Sequence, residues 1–99
     1  MNKGANVSAN ALLPHVFIHP GEIIRDEMHA LKLSQKELAE KLNISESYMS
    51  EVLRGKKAIT PHLAIALENV FETSAQFWMN LHTNYQIDLI KSGMKSQTA

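Results

Sequence analysis

From Pro20 onward the apolar positions of this chain recur every three or four residues, the spacing of one buried face of an α-helix, and they never alternate as a half-buried strand would require. The stretch "HPGEIIRDEMHALKL" predicts a first helix. Pro20 suits the first helical position, Glu22 favours the positive helix end, and Ile23, Ile24, Met28 and Leu31 form one expected inward stripe. Ser34 with Glu37 makes a capping box that starts a second helix, with Leu38, Ala39 and Leu42 inward. Asn43 ends it, because asparagine tolerates the left-handed backbone better than most residues. Ser45 caps a third helix whose inner face is Met49, Val52 and Leu53, and Gly55 stops it. Thr60 and Pro61 open a fourth helix, with Leu63, Ala66, Leu67, Val70 and Phe71 inward. Thr73 with Gln76 reads as another capping box, opening a fifth helix that runs to about Lys91 and ends at Gly93. The expected fold is all-α, a five-helix repressor-like bundle with a central helix-turn-helix. Residues 1–18 read as a loosely held arm, 19–92 as the domain and 93–99 as a flexible tail.

The second and third helices are parted by only a few residues, so they must cross steeply, as in the helix-turn-helix unit. Such a crossing sets demands on residue size. A small side chain is needed where the backbones meet, and Ala39 is there. A left-handed turn is needed four places later, at Asn43. Apolar wedges are needed at Ile44, Met49 and Val52. All five positions are suitably filled.

At 100° per residue the outer face of the third helix carries Ser47, Glu51 and Arg54, with Ser45, Glu46, Tyr48 and Ser50 around them. A recognition helix lies in the major groove with its first turns nearest the bases. Ser47 and Ser50 can hydrogen-bond several bases. Glu46 or Glu51 could accept from a cytosine amino group, and Tyr48 could meet a thymine methyl or a phosphate. Gln35, first in the second helix, would place its amide and the free helical N–H groups on a phosphate. Lys36, Arg54, Lys56 and Lys57 are the expected backbone cations. A helix pair of this kind can also be core architecture or a protein-binding face, and two glutamates sit awkwardly against phosphate.

Charge sharpens the choice through its distribution. Net charge is zero, with ten cations and ten anions. Residues 31–60 nevertheless hold six cations against four anions, an excess of two, and the segments on either side are each one negative. The positive excess lies on the helix pair, as a local phosphate-binding patch requires. The chain of 99 residues has an apolar fraction of 44%, enough for one modest core. It has no cysteine, which removes disulfides and thiolate sites and fits a cytoplasmic setting. No apolar run approaches a membrane span, and "MNKGANVSANALLPHVF" lacks the charge and apolar core of a signal peptide.

Other chemistry finds little support. Of the five histidines, His15 and His19 lie in or beside the arm, and His29, His62 and His82 fall on three different helices, whereas a zinc site needs convergent ligands. No nucleophile elbow or glycine-rich phosphate loop is present. The expectation is no enzyme, no cofactor, no metal and no small-molecule substrate. The fifth helix has one apolar face of Phe77, Trp78, Leu81, Tyr85 and Leu89 and an offset one of Ile87, Ile90 and Met94. Both could close the protomer's own core. A helix of roughly 25 Å nevertheless outruns its short neighbours, so the sequence favours a homodimer through Phe77, Trp78, Leu81, Tyr85 and Leu89.

Three blocks carry a resemblance to a known family: "HPGEII" with "LKLSQKELAEKL", then "ISESYMSEVLRGKKAIT", then "SAQFWMNLHTNY". Across about residues 19–89 the chain resembles the HigA-type, virulence-associated protein I-like antitoxins of the phage-repressor and Cro-like helix-turn-helix superfamily. The resemblance implies a dimer that binds operator DNA and represses its own operon. It further implies direct neutralisation of a RelE-like mRNA-cleaving toxin, HigB. Position by position, it aligns Gln35 with the family's phosphate-binding glutamine, and Glu46, Ser47 and Glu51 with its base-reading residues. A solitary helix-turn-helix regulator without a toxin remains the other reading.

Overall fold

The computed structural model describes residues 18–93, so the expected arm and tail lie outside it except for Ile18 and Gly93. Five helices follow in order: α1 Pro20–Leu31, α2 Gln35–Leu42, α3 Glu46–Leu53, α4 Pro61–Phe71 and α5 Ala75–Lys91. No strand occurs among the described residues.

Each helix starts where a side chain can satisfy one of its free N–H groups. The Ser34 hydroxyl accepts the Glu37 N–H at 3.0 Å while the Glu37 carboxylate accepts the Ser34 N–H at 2.8 Å, completing the capping box. Ser45 accepts from the Tyr48 N–H at 3.0 Å, and Thr60 from the Leu63 N–H at 3.2 Å. The fifth helix differs from the sequence expectation. Ser74, not Thr73, is its cap, accepting the Phe77 N–H at 3.0 Å. The Thr73 hydroxyl turns back to donate to the Phe71 carbonyl, and the Gln76 amide donates to Asn80 along the helix.

Left-handed residues close α1, α2 and α4. Asn43 has φ 61°, as its residue type predicts. Lys32 and Glu72 have φ 58° and 57°, with no glycine or asparagine to announce them. At Lys32 the closure is driven by the residue after it: the Leu33 N–H reaches the Met28 carbonyl at 2.8 Å, so Leu33 folds back over the end of α1. The same bond, Ile44 N–H to Ala39 carbonyl at 3.0 Å, closes α2 and turns Ile44 against the core.

The core joins all five helices. Ile24, Leu38, Met49, Val52, Ala64, Leu67 and Trp78 are sealed from solvent, and Met28, Ala39, Leu42, Leu53, Ile59, Leu63 and Phe71 are nearly so. Helix pairs α4–α5, α2–α3, α1–α3, α2–α4 and α1–α5 make the packing contacts. Leu31 departs from its expected place in the inward stripe and is 51% exposed. Its angle on α1 is right, but it lies past the rim of the core, where a shallow groove with Leu33, Lys41, Asn69 and Val70 replaces a packing partner.

Candidate nucleic-acid interface

The helix pair presents α3 outward. Its inner face, Met49, Val52 and Leu53, is buried, and Ala39 of α2 is 2% exposed where the two helices meet. That contact leaves no room for a larger side chain. Behind α3, Gly21 of α1 sits so close to the Leu53 carbonyl that a Cβ there would collide with it. The recognition helix is thus wedged between α2 and the first turn of α1.

On the outer side, Ser45, Glu46, Ser47, Arg54, Lys56 and Lys57 are exposed, and Tyr48, Ser50 and Glu51 are half-buried. Gln35 is half-buried and Lys36 exposed at the start of α2. The free N–H groups at the start of α2 therefore stand beside a glutamine amide and a lysine, donors that suit an anion. Ser47 and Glu46 are the side chains of the first turn of α3, and Arg54 closes its last turn, with Nε 3.4 Å from the Ser50 carbonyl. Gly55, at φ 81°, lets the chain turn off the helix, and the Lys56 N–H closes on the Glu51 carbonyl at 2.8 Å. That turn carries Lys56 and Lys57 to the far end of the same helix.

Tyr48 stands apart from the others. Its side chain packs against the core and lines a small cleft with Asn43, Ile44 and His62, between the turn and the start of α4. Glu37, though exposed, is engaged in the capping box of α2. Hydrogen bonding to Ser34 holds its carboxyl below the ordinary glutamate value, so a formal negative charge is retained at the α2 N-terminus.

Sequence reasoning missed His19. It lies at the foot of α1, where its Nδ1 accepts the Gly21 N–H at 2.9 Å and its ring meets Tyr85 of α5 edge-on at 4.9 Å. "HPG" before a helical pattern was the available signal, since a histidine ahead of proline can cap as serine does. Among the described residues, no group of three or more histidine, aspartate or glutamate side chains is arranged to hold a metal ion. No helix among them is long and apolar enough to cross a membrane.

On α5 the expected interface stripe divides. Trp78 is completely buried in the protomer, against Phe71 at 6.1 Å and Phe77 at 5.1 Å, and so offers no surface to a partner. The stripe it heads points inward over α4 and α1, which half-buries Leu81, Tyr85 and Leu89. Phe77, Ile87 and Ile90 are the exposed apolar side chains of this helix, at 40%, 42% and 57%.

Comparison with known proteins agrees with this geometry. Residues 24–78, more than half the chain, match the helix-turn-helix family HTH_3. Virulence-associated protein I of Dichelobacter nodosus is 36% identical over 80 residues, covering 80% of this chain and 74% of that protein. An addiction module antidote protein of the HigA family from Coxiella burnetii superposes with a TM-score of 0.74 at 36% identity, over 83% of this chain and 91% of that one. The Pseudomonas aeruginosa antitoxin HigA, solved with the higBA promoter, gives a TM-score of 0.75 at 37% identity, over 84% and 91%. The chain belongs to the helix-turn-helix family HTH_3, a family of non-enzymatic DNA-binding regulators, and HigA-type antitoxins and virulence-associated protein I are among its relatives.

Proposed function

We propose that this chain is a sequence-specific, dimeric DNA-binding antitoxin that represses its own operon and neutralises a RelE- or HigB-like mRNA-cleaving toxin by direct binding. The observation that carries the DNA reading is the outward face of α3. Ser47 and Glu46 stand exposed on its first turn, while Arg54, Lys56 and Lys57 flank its far end. Ser47, Ser50, Glu46 and Glu51 would read base edges; Gln35, Lys36, Arg54, Lys56 and Lys57 would hold phosphates. Two copies, joined along α5 through Phe77, Leu81, Tyr85 and Leu89 with Ile87 and Ile90 at the rim, would set paired α3 helices against successive major grooves. The antitoxin reading draws on the HigA-family relatives.

Co-expression with the neighbouring reading frame, followed by a shift assay on the upstream DNA, tests both halves. The expected outcome is a stable complex with a small basic partner and retarded DNA. With about eight phosphate-bound cations per dimer, log affinity should fall against log salt with a slope near −7. DNA binding without a partner leaves the solitary regulator, and a flat salt dependence defeats the DNA reading.

A further inference from the structure

We infer that His19 is the positioning residue of the DNA face: its neutral imidazole clasps the end of α3 to α1 and α5, and uptake of a proton opens the clasp and weakens operator binding. The inference rests on the DNA-binding reading, and its geometry is local. Among the described residues the imidazole meets α1, α5 and the turn that follows α3. Nδ1 accepts the Gly21 N–H at 2.9 Å and so caps α1. The ring meets Tyr85 of α5 edge-on, with an interplanar angle of 90°. Nε2 lies against Gly55, the residue that ends the recognition helix, so closely that any Cβ there would collide with it. Gly55 is followed at once by Lys56 and Lys57, which line the same cleft of about 280 Å³ as His19, His82, Tyr85 and Gln86. The two phosphate-directed lysines therefore hang from a turn that the imidazole supports.

The cap fixes the tautomer. An Nδ1 that accepts a hydrogen bond carries no proton, so the neutral ring carries its hydrogen on Nε2. Protonation would place a second N–H on Nδ1, donor against donor with Gly21. Burial holds the imidazole below the ordinary histidine value of 6.5; the Glu22 carboxylate pulls the other way, while Arg25 and His82 add to the depression. Lys56 and Lys57, from the turn after α3, line the same cleft as the ring. A folded-state value below the unfolded one means the clasp contributes fully above 6.5 and is lost as pH falls beneath it. General electrostatics predicts the opposite trend, since protonated histidines add positive charge and tighten DNA binding. The sign therefore separates the two effects.

The test uses the full chain and His19→Asn, whose side-chain oxygen can cap α1 without titrating. Amide and imidazole resonances are followed by NMR from about pH 7.5 downward until the His19 ring has titrated, and affinity for the upstream DNA is measured over the same range. The amides of Gly21, Gly55 and Lys56 are expected to move with the His19 ring. Affinity of the natural chain relative to His19→Asn should fall roughly fivefold, the factor a side-chain cap carries. Static Gly55 and Lys56 amides, or coincident pH profiles of the two proteins, overturn the inference. His82→Gln must keep the pH dependence; its loss there would move the switch off His19 and also overturn it. Failure of both proteins to bind DNA near neutral pH sinks the DNA reading instead, and the amide titration still decides the clasp.

Discussion

Helices α2 and α3 have eight residues each and bury three side chains apiece, whereas α5 has seventeen and buries Trp78 alone. The short pair is finished inside the protomer. Ala39 closes the crossing, Asn43 turns the chain, and Ser34 and Ser45 cap both starts. The long helix is anchored at one end and spread thinly elsewhere, with Phe77, Ile87 and Ile90 left exposed. Segments that must present a surface to DNA are fixed by many local constraints. The exposed apolar side chains of α5 are left uncovered by the protomer's own core, the kind of surface on which the proposed dimer would form.

The sharpest way to break this contrast is Trp78→Ala. If the indole is the anchor of α5, chemical denaturation should show a loss of about 3–5 kcal/mol, and a loss near zero would mean that α5 hardly belongs to the core. Next comes Ala39→Leu. Overpacking the α2–α3 crossing should cost roughly 1–3 kcal/mol, and a neutral result would refute the claim that the crossing is full. Ser34→Ala removes the cap of α2 and should cost about 1 kcal/mol. Glu37 provides a pH version of the same test. Its folded value is depressed below 4.5, so its contribution is present above that value and fades as pH falls through the folded one; thermal melts of the natural chain and Glu37→Gln should converge in acid. The smallest effect on the protomer is expected from Ile87→Asp with Ile90→Asp. Unfolding free energy at low concentration should change by no more than about 0.5 kcal/mol, while light scattering should show dimers becoming monomers. A double variant that unfolds instead would show these isoleucines to be core residues.

Much of this molecule is legible where a residue's own chemistry decides the backbone. Ser34 with Glu37, Ser45, Thr60 and Asn43 all act through bonds to residues within four places, Pro61 acts through its fixed φ, and each acts where the sequence predicts. The misreadings occur where the deciding partner is distant or where two neighbours compete. Thr73 and Ser74 are both hydroxyl residues, and only the preceding turn at Glu72 selects Ser74 as the cap. Leu31 keeps helical phase with Ile24 and Met28, but periodicity does not record where the core ends. Trp78 shares a stripe with Leu81, Tyr85 and Leu89, and sequence spacing alone could not say whether that stripe closes one protomer or joins two. His19 was hidden for the same reason, because its contacts with Gly55 and Tyr85 span most of the chain. The exposure of Glu46, Ser47 and Arg54 was legible, since a short helix with one buried face turns the other outward, whereas Tyr48 packs back against the core.

Trp78 is also the only tryptophan in the sequence, and its buried indole N–H has no hydrogen-bond partner among the described residues. An indole buried among apolar side chains emits at shorter wavelength than one in water. The native protein should therefore fluoresce towards the blue, and emission should shift red when α5 lifts from α4. Light from one side chain would then report whether the long helix is seated, without any label.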